Sequence, residues 1–200
     1  MRRRQVVYLL FLFAAGLAMF IRITDLLQDP PQSSREEKNS FASGGIDLRD
    51  VARIRTLVTQ GYGSRRYFFI SYAKGYHNGV DIAAKSGASI YSPAYGEVVA
   101  AGDQDKFCHR GNYGRFIVLR SSSDGAALLF AHLNALEVGI GDTVAAGGIV
   151  GSVGRTGRAT APHLHFTVFK KGTFELRDKE GCGPNPEGVD TNPMRYLESL

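Results

Sequence analysis

Beyond Gly61 the chain advances in short runs of β-forming residues, each closed by glycine or another turn former, and no stretch sustains helical periodicity. The runs cover residues 67–71, 80–83, 96–101, 115–120, 127–133, 149–153 and 163–169, separated by stretches such as Ser122-Ser123-Asp124-Gly125 and Gly139-Ile140-Gly141-Asp142. Runs of that length pair into sheets joined by hairpins and loops, so a mostly β, antiparallel architecture is expected. Before them, Leu48, Val51, Ile54 and Leu57 recur at intervals of three and predict one short amphipathic helix within 46–58, with a strand possible from Thr56. The last thirty residues read as a long loop followed by a short helix near 193–200.

The N-terminus begins Met1-Arg2-Arg3-Arg4 and continues into an uncharged, almost wholly apolar run over 6–21 that ends at Arg22. As a helix the run spans roughly 24 Å, short of the ~30 Å hydrocarbon core but longer than a minimal signal peptide needs. Gly16-Leu17-Ala18 offers a weak cleavage site, yet the apolar run continues through Met19, Phe20 and Ile21. Residues 1–24 are therefore expected to form an uncleaved membrane helix, with the arginines in the cytoplasm and the rest of the chain outside. Residues 25–45, with Pro30-Pro31 and Arg35-Glu36-Glu37-Lys38, are expected to be a flexible polar linker. Residues 46–200 make up the expected folded domain.

The net charge of +5 is mild. Without a dense run of Lys and Arg it excludes nucleic acid as a partner and suits an anionic cell wall or membrane surface. Cys108 and Cys182 are the two cysteines of a chain read as exported, which favours a disulfide over two unconnected thiols. Neither belongs to a Cys-x-x-Cys pair, so zinc ligation by them is disfavoured.

Four of the five histidines fall in three phrases: His77-Asn78-Gly79-Val80-Asp81, Ala131-His132-Leu133 and His163-Leu164-His165-Phe166. In a strand the period of two puts His163 and His165 on one face. Asp81 follows His77 by four residues, with Gly79 between them to permit an unusual turn. Each phrase alone has an ordinary reading, as a chance spacing, a packed core histidine or cross-strand decoration. Their conjunction points to a catalytic zinc site, which takes three N/O ligands and keeps a fourth position for water. A helical His-Glu-x-x-His arrangement is absent, so proton transfer falls to a histidine. His109, in the loop Phe107-Cys108-His109-Arg110, reads as a surface residue.

More phrases arrive in order around these: Gly61-Tyr62-Gly63, Tyr91-Ser92-Pro93-Ala94, Gly96-Glu97-Val98-Val99, Tyr113-Gly114, Gly141-Asp142-Thr143-Val144 and Gly151-Ser152-Val153-Gly154-Arg155-Thr156-Gly157. From about Gly61 to Phe169 the chain resembles the lysostaphin-type (LytM-like) zinc endopeptidases, which cut peptide bonds in bacterial peptidoglycan. The resemblance implies one zinc ion per chain held by His77, Asp81 and His165, with His132 and His163 as the catalytic pair. Of that pair, His132 is taken as the base and His163 as the group that steadies the oxyanion. It also implies an open antiparallel β-sheet or sandwich of the lysostaphin-like, duplicated hybrid motif, with a groove that accepts extended peptide. Phe130 stands where the family usually has Tyr, and Thr167 where an acidic residue is frequent. The segment 103–112 is longer than the family's usual turn and the tail bearing Cys182 is additional.

The expected function is zinc-dependent cleavage of peptidoglycan cross-links or bridges outside the cytoplasmic membrane, by a membrane-anchored enzyme, or a secreted one if residues 1–24 are removed. Two other readings stand beside it. One is a non-cutting, peptidoglycan-binding or amidase-activating module, although such relatives typically lack one of the five site residues. The other is a metalloprotease acting on exported proteins. Membrane tethering or a regulatory protein partner is expected to place the domain on the wall.

Overall fold

The computed structural model describes residues 44–65, 72, 74–108 and 113–200. The expected membrane helix over 1–24, nearly all of the 25–45 linker, the strand at 67–71 and His109 lie outside the described residues. Among the described residues no helix is long and apolar enough to cross a membrane.

Two sheets and a separate hairpin carry the architecture, with strands numbered along the chain. The larger sheet runs in the order β2 (Val58–Gln60), β3 (Val80–Ala83), β11 (His163–Phe169), β7 (Ala127–Ala131), β6 (Arg115–Ser121), β5 (Gly96–Asp103) and β9 (Thr143–Val144), and β14 (Asp190–Thr191) also pairs with β11. The smaller runs β1 (Ile46–Asp47), β4 (Ser89–Tyr91), β10 (Ile149–Val153) and β8 (Leu133–Leu136). The hairpin joins β12 (Glu175–Lys179) to β13 (Gly183–Glu187). Among the described residues all strand pairings are antiparallel except β1 on β4, which is parallel and corrects the expectation of a purely antiparallel sheet.

Alternation decides what each face of the large sheet carries. Along β11, Leu164, Phe166 and Val168 enter the main core, which also takes Val80 and Ile82 from β3, Leu128 and Phe130 from β7, and Ile90, Val150 and Leu133 from the smaller sheet. The opposite face of the large sheet holds a second cluster around Phe116, Val118, Leu129, Ala131 and Phe169. On β11 and β3 it is the intervening positions, His163, His165 and Asp81, that stay out of the main core. The apolar residues thus fix the register, and the register fixes the polar ones.

The expected helix over 46–58 is shorter than its periodicity suggested. Ile46 is buried from the two-residue strand β1 and Leu48 from the turn after it, and the helix α1 covers only Val51–Leu57, starting where the Asp50 side chain accepts from the Arg53 N–H at 3.0 Å. The C-terminal region read as a long loop contains the β12–β13 hairpin and β14 before α2 (Pro193–Glu198), which Asn192 caps at the Met194 N–H. Cys108 and Cys182 form a disulfide that ties the hairpin turn to the segment before β6.

Candidate functional site

Sheet register alone gathers most of the site. His165 lies opposite Asp81 of β3 on one side and Ala131 of β7 on the other, and directly opposed residues have Cβ atoms about 5 Å apart. His132 follows Ala131 at a break between β7 and β8, where the run expected to be continuous over 127–133 is interrupted. There His132 adopts φ of 63°, a left-handed conformation uncommon outside glycine. Its backbone N–H donates to the Tyr113 carbonyl at 2.9 Å. Its ring Nδ1–H donates to the Thr156 carbonyl at 2.8 Å, leaving Nε2 with a free lone pair.

Three ligand-type atoms converge. His165 Nδ1 is 2.8 Å from Asp81 Oδ1, His77 Nε2 is 3.2 Å from the same oxygen, and the two nitrogens are 3.1 Å apart. Atoms about 2.1 Å from a tetrahedral zinc ion stand about 3.4 Å from one another, so this triangle needs to widen by only a few tenths of an ångström. Proton positions agree. A carbonyl only accepts, so His77 Nδ1, 3.1 Å from the Gly61 oxygen, carries the hydrogen and Nε2 is bare. For His165 the Thr167 hydroxyl, 2.9 Å from Nε2, can accept that ring's hydrogen and free Nδ1. Two bare nitrogens and a carboxylate oxygen packed this closely call for a cation between them. His77, Asp81 and His165 could hold a metal ion.

Gly79 makes the approach possible. A Cβ at that position would lie 2.5 Å from the Phe166 oxygen and 2.8 Å from Cε1 of the His165 ring. The other two predicted residues flank the trio. The rings of His132 and His163 are centred 4.8 Å apart, and His163 Nε2 is 3.6 Å from Asp81 Oδ1 while its Nδ1–H donates to the Ala161 carbonyl at 2.8 Å. All five residues line one cavity of about 430 Å³.

Burial sets the electrostatics. For Asp81, burial alone would raise the pKa, but the His165 and His77 rings beside its carboxylate outweigh that and hold the carboxyl well below the usual range. Burial, with His165 and His163 close by, pushes His132 down to about 3, so this imidazole is neutral at physiological pH. Burial lowers His165 as well.

The structure adds residues that sequence reasoning did not single out. The Tyr72 ring is centred 5.2 Å from that of His77 and receives a hydrogen bond from the Gln60 amide. Tyr113, whose ring lies 5.8 Å from His165, accepts from the Asn78 amide at 3.0 Å. Asn185, Pro186 and Glu187 of β13 also line the cavity. Tyr113-Gly114 and Asn78 lay inside quoted phrases and could have been found there, whereas the β13 residues carried no signal. Phe130, where the resembling family usually has Tyr, is wholly buried, its ring against that of Phe166.

The fold and cluster bring together a trio that could hold a metal ion with two further imidazoles beside it, the kind of arrangement found in metallopeptidases. Residues 75–175 match the model of peptidase family M23, and the chain belongs to that family. The DD-carboxypeptidase/endopeptidase Mpg of Neisseria meningitidis is 32% identical over 123 residues, covering 62% of this chain and 26% of that protein. Lysostaphin of Staphylococcus staphylolyticus is 36% identical over 109 residues, covering 54% and 21%. The chain thus spans about a quarter of the length of such relatives. Among solved structures, the catalytic domain of lysostaphin from Staphylococcus simulans superposes with a TM-score of 0.56 at 27% identity, covering 74% of this chain and 98% of that one. A zinc-containing peptidase from Vibrio cholerae gives a TM-score of 0.50 at 26% identity, covering 68% and 35%. The fold is mostly β and lysostaphin-like, as expected.

Proposed function

We propose that this chain is a zinc-dependent endopeptidase that hydrolyses peptide bonds in peptidoglycan, outside the cytoplasmic membrane. The observation that carries the reading is the triangle of His77, Asp81 and His165 atoms, 2.8–3.2 Å on a side, with two further imidazoles at its edge. A zinc ion there would polarise the scissile carbonyl and acidify the attacking water. The protein's own groups do the rest. His132, kept neutral by burial and oriented by Thr156, presents bare Nε2 to take the proton from water and return it to the leaving amine. An oxyanion donor needs a proton on its inward nitrogen; with Nδ1–H given to the Ala161 carbonyl, His163 fills that role as the imidazolium, and it is the ring of the pair whose Nε2 has a carboxylate oxygen, Asp81 Oδ1, near it to favour the second proton. Relatives described as a peptidoglycan DD-endopeptidase and a glycyl-glycine endopeptidase support the substrate class. In this reading residues 1–24 anchor the chain in the cytoplasmic membrane and 25–45 space the domain from it.

The test is to incubate residues 39–200 with purified peptidoglycan, with and without a chelator, and to identify released fragments by mass. Peptide-bond cleavage that stops on chelation and returns with zinc is expected. Cleavage that survives chelation, or none with the zinc-loaded protein, contradicts the reading.

A further inference from the structure

Hairpin β12–β13 begins at Glu175, the last residue matched by the family model, yet its second strand puts Asn185, Pro186 and Glu187 into the lining of the cavity that holds the metal trio. Three attachments fix it there. Cys182, in the hairpin turn, is bonded to Cys108. Gln104, wholly buried, donates from its amide to the Pro184 carbonyl and to Asn185 Oδ1, both at 3.1 Å, while its own oxygen accepts from the Tyr113 N–H at 2.7 Å. The ring of Phe107 packs so close to Gly183 that a Cβ there would sit 2.7 Å from it.

Asn185 in turn orients Glu187, donating from Nδ2 to Oε1 at 2.9 Å. Among the described residues, the ion pair of the other carboxylate oxygen is a long one. Arg177 Nε is 3.8 Å from it, and Arg177 Nη2 is bound to Glu175 Oε1 at 2.5 Å. Lys74, a cation on the same wall, donates to Asp190 at 2.6 Å and to the Gly188 carbonyl at 2.9 Å, so its charge is matched by the Asp190 carboxylate. The wall therefore presents the cavity with a carboxylate oriented by Asn185.

We propose that this hairpin is a specificity wall on which Glu187 binds a protonated side-chain amine of the peptide being cut; the proposal rests on the endopeptidase reading above. An ionised carboxylate only accepts hydrogen bonds, and a charged amine is the donor that gains most from it. The cavity is large enough to take such a side chain beside the scissile bond.

The probe is purified peptidoglycan offered in two forms, untreated and with its free amines acetylated. The wild type is expected to release fragments from the untreated form about tenfold faster, the worth of one charge-assisted contact. Glu187→Gln is expected to bring the ratio near one, with the loss in KM rather than kcat, and Asn185→Ala to move it the same way by less. A wild type indifferent to acetylation overturns the proposal and leaves the endopeptidase reading standing. So does a Glu187→Gln variant that keeps both the wild-type ratio and the wild-type zinc content. A wild type that releases nothing from either form overturns both.

Discussion

Gly79 shows how little room the site leaves. Its absent side chain is what lets the His77 phrase lie against β11, because an added methyl group would meet the Phe166 carbonyl, the Thr167 hydroxyl and the His165 ring all within 2.8 Å. Gly79→Ala is therefore expected to cost about 1–3 kcal/mol through overpacking, a fall in Tm of roughly 3–10 °C, and to weaken zinc binding by displacing His165. Calorimetry of zinc-loaded and chelated protein measures both; an unchanged Tm and unchanged zinc affinity would contradict the close approach. The phrase carrying Gly79 was visible in the sequence, as were His163 and His165 two apart in a β-rich run. The conformation of His132 was not. Its position between Ala131 and Leu133 looked like the interior of a strand, and nothing local announced a positive φ. The backbone is held there from outside by the Tyr113 carbonyl, and the ring by that of Thr156.

Elements were legible where burial imposes a pattern. β3, β10 and β11 occupy the residues expected of them, because each buries an alternating or continuous apolar set. β12 was invisible for the opposite reason. All five of its residues, Glu175 to Lys179, are exposed, so no periodicity betrays it. β1, β9 and β14 are two residues long and depend on distant partners. The hairpin relies on its attachments, and the disulfide closes a separation of 74 residues. In the chain-entropy picture this stabilises by about 4 kcal/mol, so Cys182→Ser is expected to lower Tm by roughly 10 °C. A variant melting with the wild type would show that the crosslink constrains nothing.

β14 offers a pH test. Asp190 accepts from the Tyr62 hydroxyl at 2.7 Å, the Tyr76 hydroxyl at 2.9 Å and Lys74 at 2.6 Å. Burial would raise its pKa, but the hydrogen bonds of Lys74, Tyr62 and Tyr76 bring it below the usual value. A depressed folded pKa means stability that is full above the unfolded value of about 4 and lost as pH falls through the folded one. Asp190→Asn should therefore flatten the fall of Tm with acid below about pH 4, and parallel curves for variant and wild type would remove Asp190 from that role.

At the scale of the whole molecule, three separated sequence phrases meet because β3, β11 and β7 are neighbours in one sheet. Their meeting could be anticipated from the ordered motifs; the groove wall supplied by β13 could not, since no phrase marks it and the family match ends before it. Whether the five residues divide as proposed, three to hold metal and two to move protons, is decided most directly by metal analysis of single variants. Zinc per chain and peptidoglycan hydrolysis should be measured together for the wild type, His165→Ala and His132→Ala. The account predicts one zinc and turnover for the wild type, neither for His165→Ala, and one zinc without turnover for His132→Ala. Zinc retained by His165→Ala, or lost from His132→Ala, would contradict it.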